Sequence, residues 1–167
     1  MADAALVVPV PAADPVIGRL RRQHTRSGAA GMPSHLTLLY PFATGRERDV
    51  EAVLAPFTAV DYTLRTAAVF GDPPVLYLAL DPAAPFLALI EALMAAFPEF
   101  PPYGGVQFYP EPHVTIAQGD ESAFAAIRAD VEPLLPVSAR ADKVVLFEHD
   151  AGRGWRPRTR FPLGDDC

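Results

Sequence analysis

The same four-residue pattern occurs twice in this chain, as His35-Leu36-Thr37-Leu38 and as His113-Val114-Thr115-Ile116, each time in an apolar stretch with a proline within two residues upstream. Side chains of an extended chain alternate between faces, so His and Thr at i and i+2 project to one side. Leu36, Leu38, Val114 and Ile116 project to the other. Each segment is therefore a strand that buries one face and presents an imidazole beside a hydroxyl on the other. A fold that satisfies both needs sheet with a covered side and an open side.

The rest of the chain supplies the cover. Ala5 to Val10 reads as a first strand and Asp14 to Gln23 as a helix, with Asp14 as N-cap and Pro15 at the first helical position. Ser27 to Met32 reads as a glycine-containing loop leading to the first motif strand, Ser34 to Tyr40, which Pro41 stops. Arg46 to Ala55 has helical character. Tyr62 to Phe70 and Val75 to Leu80 form a hairpin around Gly71-Asp72-Pro73-Pro74. Phe86, Leu87, Ile90 and Met94 recur at helical spacing over Pro85 to Phe97. A loop from Pro98 to Gly105 leads into Val106 to Tyr109 and the second motif strand, His113 to Ala117. Ser122 to Leu135 reads as one more helix with Asp120 or Ser122 as cap, and Ala139 to Glu148 with Trp155 to Leu163 as a closing hairpin. The layout nearly repeats itself. It predicts an α+β fold, a bilobal pseudo-twofold arrangement of two antiparallel sheets lining a central cleft with helices on the outer faces. All of 1–167 forms one domain of two lobes on this reading.

Half of the 167 residues are hydrophobic, ample for a core of that size. The amino terminus lacks a positive start and is broken by Pro9, Pro11 and Pro15, and Ala83 to Phe97 is too short to span a bilayer. A cytoplasmic monomer that does not engage membranes is expected. Cys167 is the only cysteine, which leaves no disulfide framework and no thiolate zinc cluster. The net charge of −6 argues against binding long duplex nucleic acid, which requires many cations set against phosphates. Positive charge does gather in two places: Arg19, Arg21, Arg22 and Arg26, and Arg153, Arg156, Arg158 and Arg160. Either group could rim a phosphate cleft or be a solvated face.

If both motif strands border one cleft, that cleft holds two acid/base groups, His35 and His113, and two neutral donors, Thr37 and Thr115. Such a set suits an anionic phosphodiester from which one proton is removed while another is delivered. No metal and no cofactor are needed. His24, at the end of the arginine-bearing helix, and His149, in a turn, read as exposed; a metal held by the motif histidines with one of these is the competing chemistry, though no carboxylate stands at ligand-like spacing. Tyr40, Phe70, Phe108 and Tyr109 read mainly as packing residues, with Tyr109 a candidate substrate contact alongside Arg19, Arg22, Arg156 and Arg158. The glycines around Gly28 to Gly31 and Gly104-Gly105 read as turn residues.

The stretches His35-Leu36-Thr37-Leu38-Leu39-Tyr40-Pro41-Phe42 and Glu111-Pro112-His113-Val114-Thr115-Ile116-Ala117 resemble the paired H-x-T-x motifs of the 2H phosphoesterase superfamily, in particular its 2'-5' RNA ligase and cyclic phosphodiesterase branch. The end of the chain, with Phe161-Pro162-Leu163-Gly164, is also similar. The resemblance implies a bilobal α+β fold, metal-independent and ATP-independent chemistry, and 2',3'-cyclic phosphates or 2'-5' linkages of small nucleotides or RNA ends as substrates. It further implies His35 as proton donor and His113 as acceptor in hydrolysis. Where many relatives place a basic residue shortly after the second motif, this chain carries Gln118. A nucleotide-binding module that keeps the cleft without turnover is the alternative from another class.

Overall fold

The computed structural model describes residues 3–101 and 111–165. In chain order it runs β1 (Asp3–Pro9), α1 (Asp14–His24), α2 (Arg26–Ala29), β2 (His35–Phe42), α3 (Glu47–Leu54), β3 (Val60–Phe70), β4 (Val75–Asp81), α4 (Ala84–Ala96), β5 (His113–Gln118), α5 (Phe124–Val131), β6 (Val137–Ala141), β7 (Lys143–Asp150) and β8 (Gly154–Pro162). The strands form one antiparallel sheet in the order β6-β3-β4-β5-β2-β1-β7-β8. It consists of two four-stranded halves whose inner strands, β5 and β2, are the motif strands. Those two share a single register pair, Leu36 with Val114. The two expected sheets are thus two halves joined at a narrow seam. The expected strand over Val106 to Tyr109, and Tyr109 itself, lie outside the described residues.

The alternation predicted for the motif strands sets the layers. Leu36, Leu38, Val114 and Ile116 are all buried in a large core with Ala4, Leu6 and Val8 of β1, Val144 and Leu146 of β7, and the inner faces of the helices. The opposite face of the sheet carries His, Thr and a small separate cluster of Ala5, Val7, Met32, Val145 and Phe147. The helices cross under the seam: α1 contacts β5 and α4 contacts β2, so each motif strand rests partly on a helix from the other sequence repeat.

Several local readings are corrected. Asp14 does not cap α1, because its carboxylate accepts instead from the Ser34 backbone N–H at 3.1 Å and the Ser34 hydroxyl at 2.6 Å, which moors the helix start to the residue before His35. The glycine loop contains the short helix α2, capped by Thr25, whose Oγ1 accepts from Gly28 N–H at 2.9 Å. Pro41 does not end β2. The strand continues to Phe42, paired with Ala4, because a register irregularity between Ala4 and Leu6 absorbs the missing donor. The single helix expected over Ser122 to Leu135 is a 3-10 turn, α5 and another 3-10 turn; Pro133, with no N–H, prevents the α ladder from continuing. The strand expected over Ala139 to Glu148 breaks at Asp142. Its first part pairs with β3 and its second with β1, so the chain changes sheet halves there.

Candidate active site

His35 and His113 are fixed in the same way. Each Nδ1 lies within hydrogen-bond distance of the carbonyl two residues upstream: 2.8 Å to Pro33 for His35 and 2.7 Å to Glu111 for His113. A carbonyl only accepts, so each Nδ1 donates, and each ring keeps its Nε2 lone pair for a ligand. Pro112 favours an extended backbone at Glu111, the residue whose carbonyl His113 uses. His35, Thr37, His113 and Thr115 all line one cleft of about 780 Å³ on the open face of the sheet. Continuing the antiparallel register one residue either side of the Leu36–Val114 pair sets His35 opposite Thr115 and Thr37 opposite His113. The histidines are then diagonal neighbours, a relation that in a regular ladder spans about 7–8 Å.

The two rings differ in their surroundings. Burial lowers the His35 pKa from 6.5 to about 3, assisted by the Arg21 guanidinium and the neighbouring His113 against the opposing pull of the Pro33 carbonyl. Burial also lowers His113, but there the Glu111 carbonyl and carboxylate both act to raise it. Phe70 and Tyr77 stand edge-on to the His113 ring, with centroids 5.0 Å and 5.8 Å away.

Arg21 is the residue that the sequence reading passed over among its neighbours. It is 1% exposed, on the inner face of α1 with Ile17, Gly18 and Leu20. Its guanidinium donates to the Thr115 carbonyl at 2.7 Å, the Ser27 hydroxyl at 3.3 Å and the Met32 carbonyl at 3.4 Å. The same Nη2 lies 3.4 Å from His35 Nδ1. Because Nδ1 already donates to Pro33, this is an approach of a cation to the ring and not a hydrogen bond. Burial brings the Arg21 pKa down to about 10, still cationic at neutral pH. The signal was its position: Ile17, Leu20 and Arg21 follow the i, i+3, i+4 stripe of an inward face, where an arginine requires partners.

The other nominated arginines stand elsewhere. Arg19 and Arg22 are exposed on α1 and are not among the cleft-lining residues. Arg158 is held by Glu47 at 3.3 Å and Glu148 at 2.9 Å, and Arg156 is exposed opposite Glu148 on β8. Arg26, Gln118, Tyr40 and Phe70 do line the cleft. His149 is not in a turn: it lies on β7 within the cleft, its ring 5.1 Å from that of Trp155, which in turn meets Tyr40 edge-on at 6.0 Å. His24 lies near Asp120, away from the lining residues. Among the described residues no three His, Cys, Asp or Glu side chains gather as a metal site.

Gly28 and Gly154 hold this arrangement close. A Cβ on Gly28 would run into the Arg21 carbonyl and the Thr25 hydroxyl. Gly154 has a φ of 76°, and a side chain there would strike the Ala30 carbonyl, which accepts from Trp155 N–H at 2.8 Å.

A curled antiparallel sheet with two H-x-T strands meeting at its centre and helices on one side defines the class of 2H phosphoesterase-like folds. The chain belongs to the 2'-5' RNA ligase superfamily, a family of phosphoesterase and RNA ligase-like enzymes, which its sequence matches over residues 8–153. Its fold is similar to that of Escherichia coli LigT, with 18% identity, 98% of each chain covered and a TM-score of 0.66. It is also similar to the TT0787 protein of Thermus thermophilus, at 18% identity over 99% of this chain and 100% of that one, TM-score 0.60. LigT complexed with 3'-AMP superimposes over 97% of this chain and 98% of its own at 20% identity, TM-score 0.61. No curated protein matches the sequence. No described helix is long and apolar enough to cross a membrane.

Proposed function

We propose that the protein hydrolyses, or in reverse forms, 2',3'-cyclic phosphate and 2'-5' phosphodiester linkages of small nucleotides or RNA ends, with no metal in the chemical step. The observation that carries the reading is the matched pair of histidines, each with Nδ1 committed to a carbonyl and Nε2 left for the shared cleft. E. coli LigT has been crystallised with 3'-AMP, phosphate, ATP and NADP+, ligands of the kind that this cleft would take. The whole chain acts as one two-lobed, monomeric unit in the cytoplasm, where RNA ends are met.

In this mechanism Thr37 and Thr115 donate to the nonbridging oxygens and hold the phosphorus between the rings. His35 Nε2 takes a proton from water as its oxygen attacks phosphorus. Protonated His113 delivers one to the ribose oxygen that leaves. This reverses the assignment implied by the family resemblance. The reason lies in the surroundings: burial first, and then the Arg21 cation beside it, keep the His35 ring neutral, the form a base needs, while at His113 the Glu111 carbonyl and carboxylate oppose part of the lowering by burial and so favour, of the two rings, protonation there.

The test is turnover of nucleoside 2',3'-cyclic phosphates followed by phosphorus NMR, with 2'-5' dinucleotides as a second substrate set. Hydrolysis that disappears in both His35→Ala and His113→Ala is expected. Tight binding of the same compounds without any turnover would instead make the protein a nucleotide-binding module.

A further inference from the structure

The open face of the sheet does not end at the histidines. Cross-strand register lines up Thr37 of β2, Val7 of β1, Val145 of β7 and Arg160 of β8 in one row. One face of β7 and β8 carries Phe147 opposite Pro157 and His149 opposite Trp155. A second cavity of about 340 Å³ lies on that face, floored by Val145, Phe147, Trp155 and Pro157 and bearing Lys143 and Arg160. Trp155 lines both cavities, so the two adjoin at that residue; the segment 30–33 stands between them elsewhere, with Ala30 and Met32 on the cleft side, Met32 packed with Val7 and Val145, and Gly31 and Pro33 on the other side.

Its chemistry differs from that of the cleft. The floor is apolar and aromatic, and the two ionisable groups are both cations. Among the described residues Arg160 makes no ion pair, unlike Arg158 two positions earlier, and Lys143 meets only exposed Asp142 at 3.3 Å. An apolar floor with a stackable ring at one end and cations at the other suits a nucleobase followed by a phosphate. At about 4.8 Å per strand step, Arg160 stands about 14 Å along the row from Thr37. A nucleoside cyclic phosphate whose only charge is held between the histidines has nothing to place there.

We infer that this β7–β8 groove binds the nucleotide next to the reacting linkage, with its phosphate against Lys143 and Arg160, so that the protein takes a short single strand by its end in preference to a free mononucleotide. The inference rests on the proposed activity, since it needs the reacting phosphate at His35 and His113. It assigns Arg160, and not Arg156 or Arg158, as the member of the late arginine cluster that meets substrate. A rigid duplex cannot lay one unstacked base on the Trp155 floor, so the groove selects single strands.

Calorimetry separates the two levels, using adenosine 3'-phosphate and a tetra-adenylate ending in a 3'-phosphate. The tetranucleotide is expected to bind about tenfold more tightly, the scale of one added base stack. Its log affinity should also fall more steeply with log salt, by about 0.7 for each extra phosphate neutralised. Lys143→Ala and Arg160→Ala should each remove part of that gain and leave adenosine 3'-phosphate unaffected, with unchanged melting temperatures showing that the variants are folded. Equal affinity for the two ligands, or a gain that survives in both variants, overturns the groove assignment alone. Failure of adenosine 3'-phosphate and the tetranucleotide alike to bind overturns the proposed activity, and the groove assignment with it.

Discussion

The Arg21 guanidinium and the Thr115 carbonyl meet at 2.7 Å across 94 positions of sequence, joining the first helix to the second motif strand. Arg21 also approaches His35, so one buried cation touches both motifs.

Replacing Arg21 by Met removes that cation and nearly conserves its bulk. The His35 pKa is expected to rise from about 3 by only part of the way to 6.5, because burial, the larger cause, remains; the rise is seen in the ring resonances by NMR titration, and Arg21→Lys should show less of it. Losing hydrogen bonds from a charged donor costs about 1.5–3 kcal/mol each, so Arg21→Met should also melt earlier. An unmoved His35 resonance would show that burial alone sets its pKa.

A second expectation concerns pH. His35, low in pKa, stays neutral down to strongly acidic solution, while His113, which the proposed mechanism requires to carry a proton, also titrates below 6.5. The kcat/KM profile therefore declines as pH rises through the His113 value, giving higher activity on the acid side of neutrality. Stability runs the other way. The unfolded chain protonates His35 near 6.5 and the folded chain does not until about 3, so the melting temperature should fall as pH drops through that window, less so in His35→Gln.

His35→Ala and His113→Ala should each lower turnover by about a hundredfold to ten-thousandfold while circular dichroism stays native. Thr37→Val and Thr115→Val should act more mildly. EDTA should leave wild-type activity intact, and activity lost to chelator and restored by zinc or manganese would favour the metal chemistry.

Gly154→Ala should be poorly tolerated. A positive φ costs a non-glycine residue roughly 1–2 kcal/mol, and the added methyl would also strike the Ala30 carbonyl. Thermal unfolding reads this directly, with Gly152→Ala in the same turn as the mild control.

Much of this was legible because strand alternation is a period of two. That period sent Leu36, Leu38, Val114 and Ile116 inward and put both histidines and both threonines on the cleft side. Arg21 was less legible. Four arginines lie within eight positions, and only the helical phase, checked against buried Ile17 and Leu20, separates it from Arg19 and Arg22. His149 is hard to place because nothing in the sequence separates the end of β7 at Asp150 from an end at Glu148, and Trp155, expected on its strand, carries no mark of the face it takes. The break at Asp142 was invisible for another reason: Val137–Ala141 and Lys143–Asp150 are both good strand sequences, and only their partners, β3 and β1, distinguish them.

The seam between the halves rests on one register pair, with α1 reaching under β5 and α4 under β2. Few ladder hydrogen bonds therefore resist a change in the gap between His35 and His113, and the side chains beneath decide it. Leu36 and Val114 become a shim: adding or removing a methylene there would alter how far apart the two imidazoles stand, without touching either ring. Tuning such an enzyme to a bulkier or slimmer linkage is then a matter of core volume, and sequences that look divergent only in their hydrophobic residues could differ in what they cut.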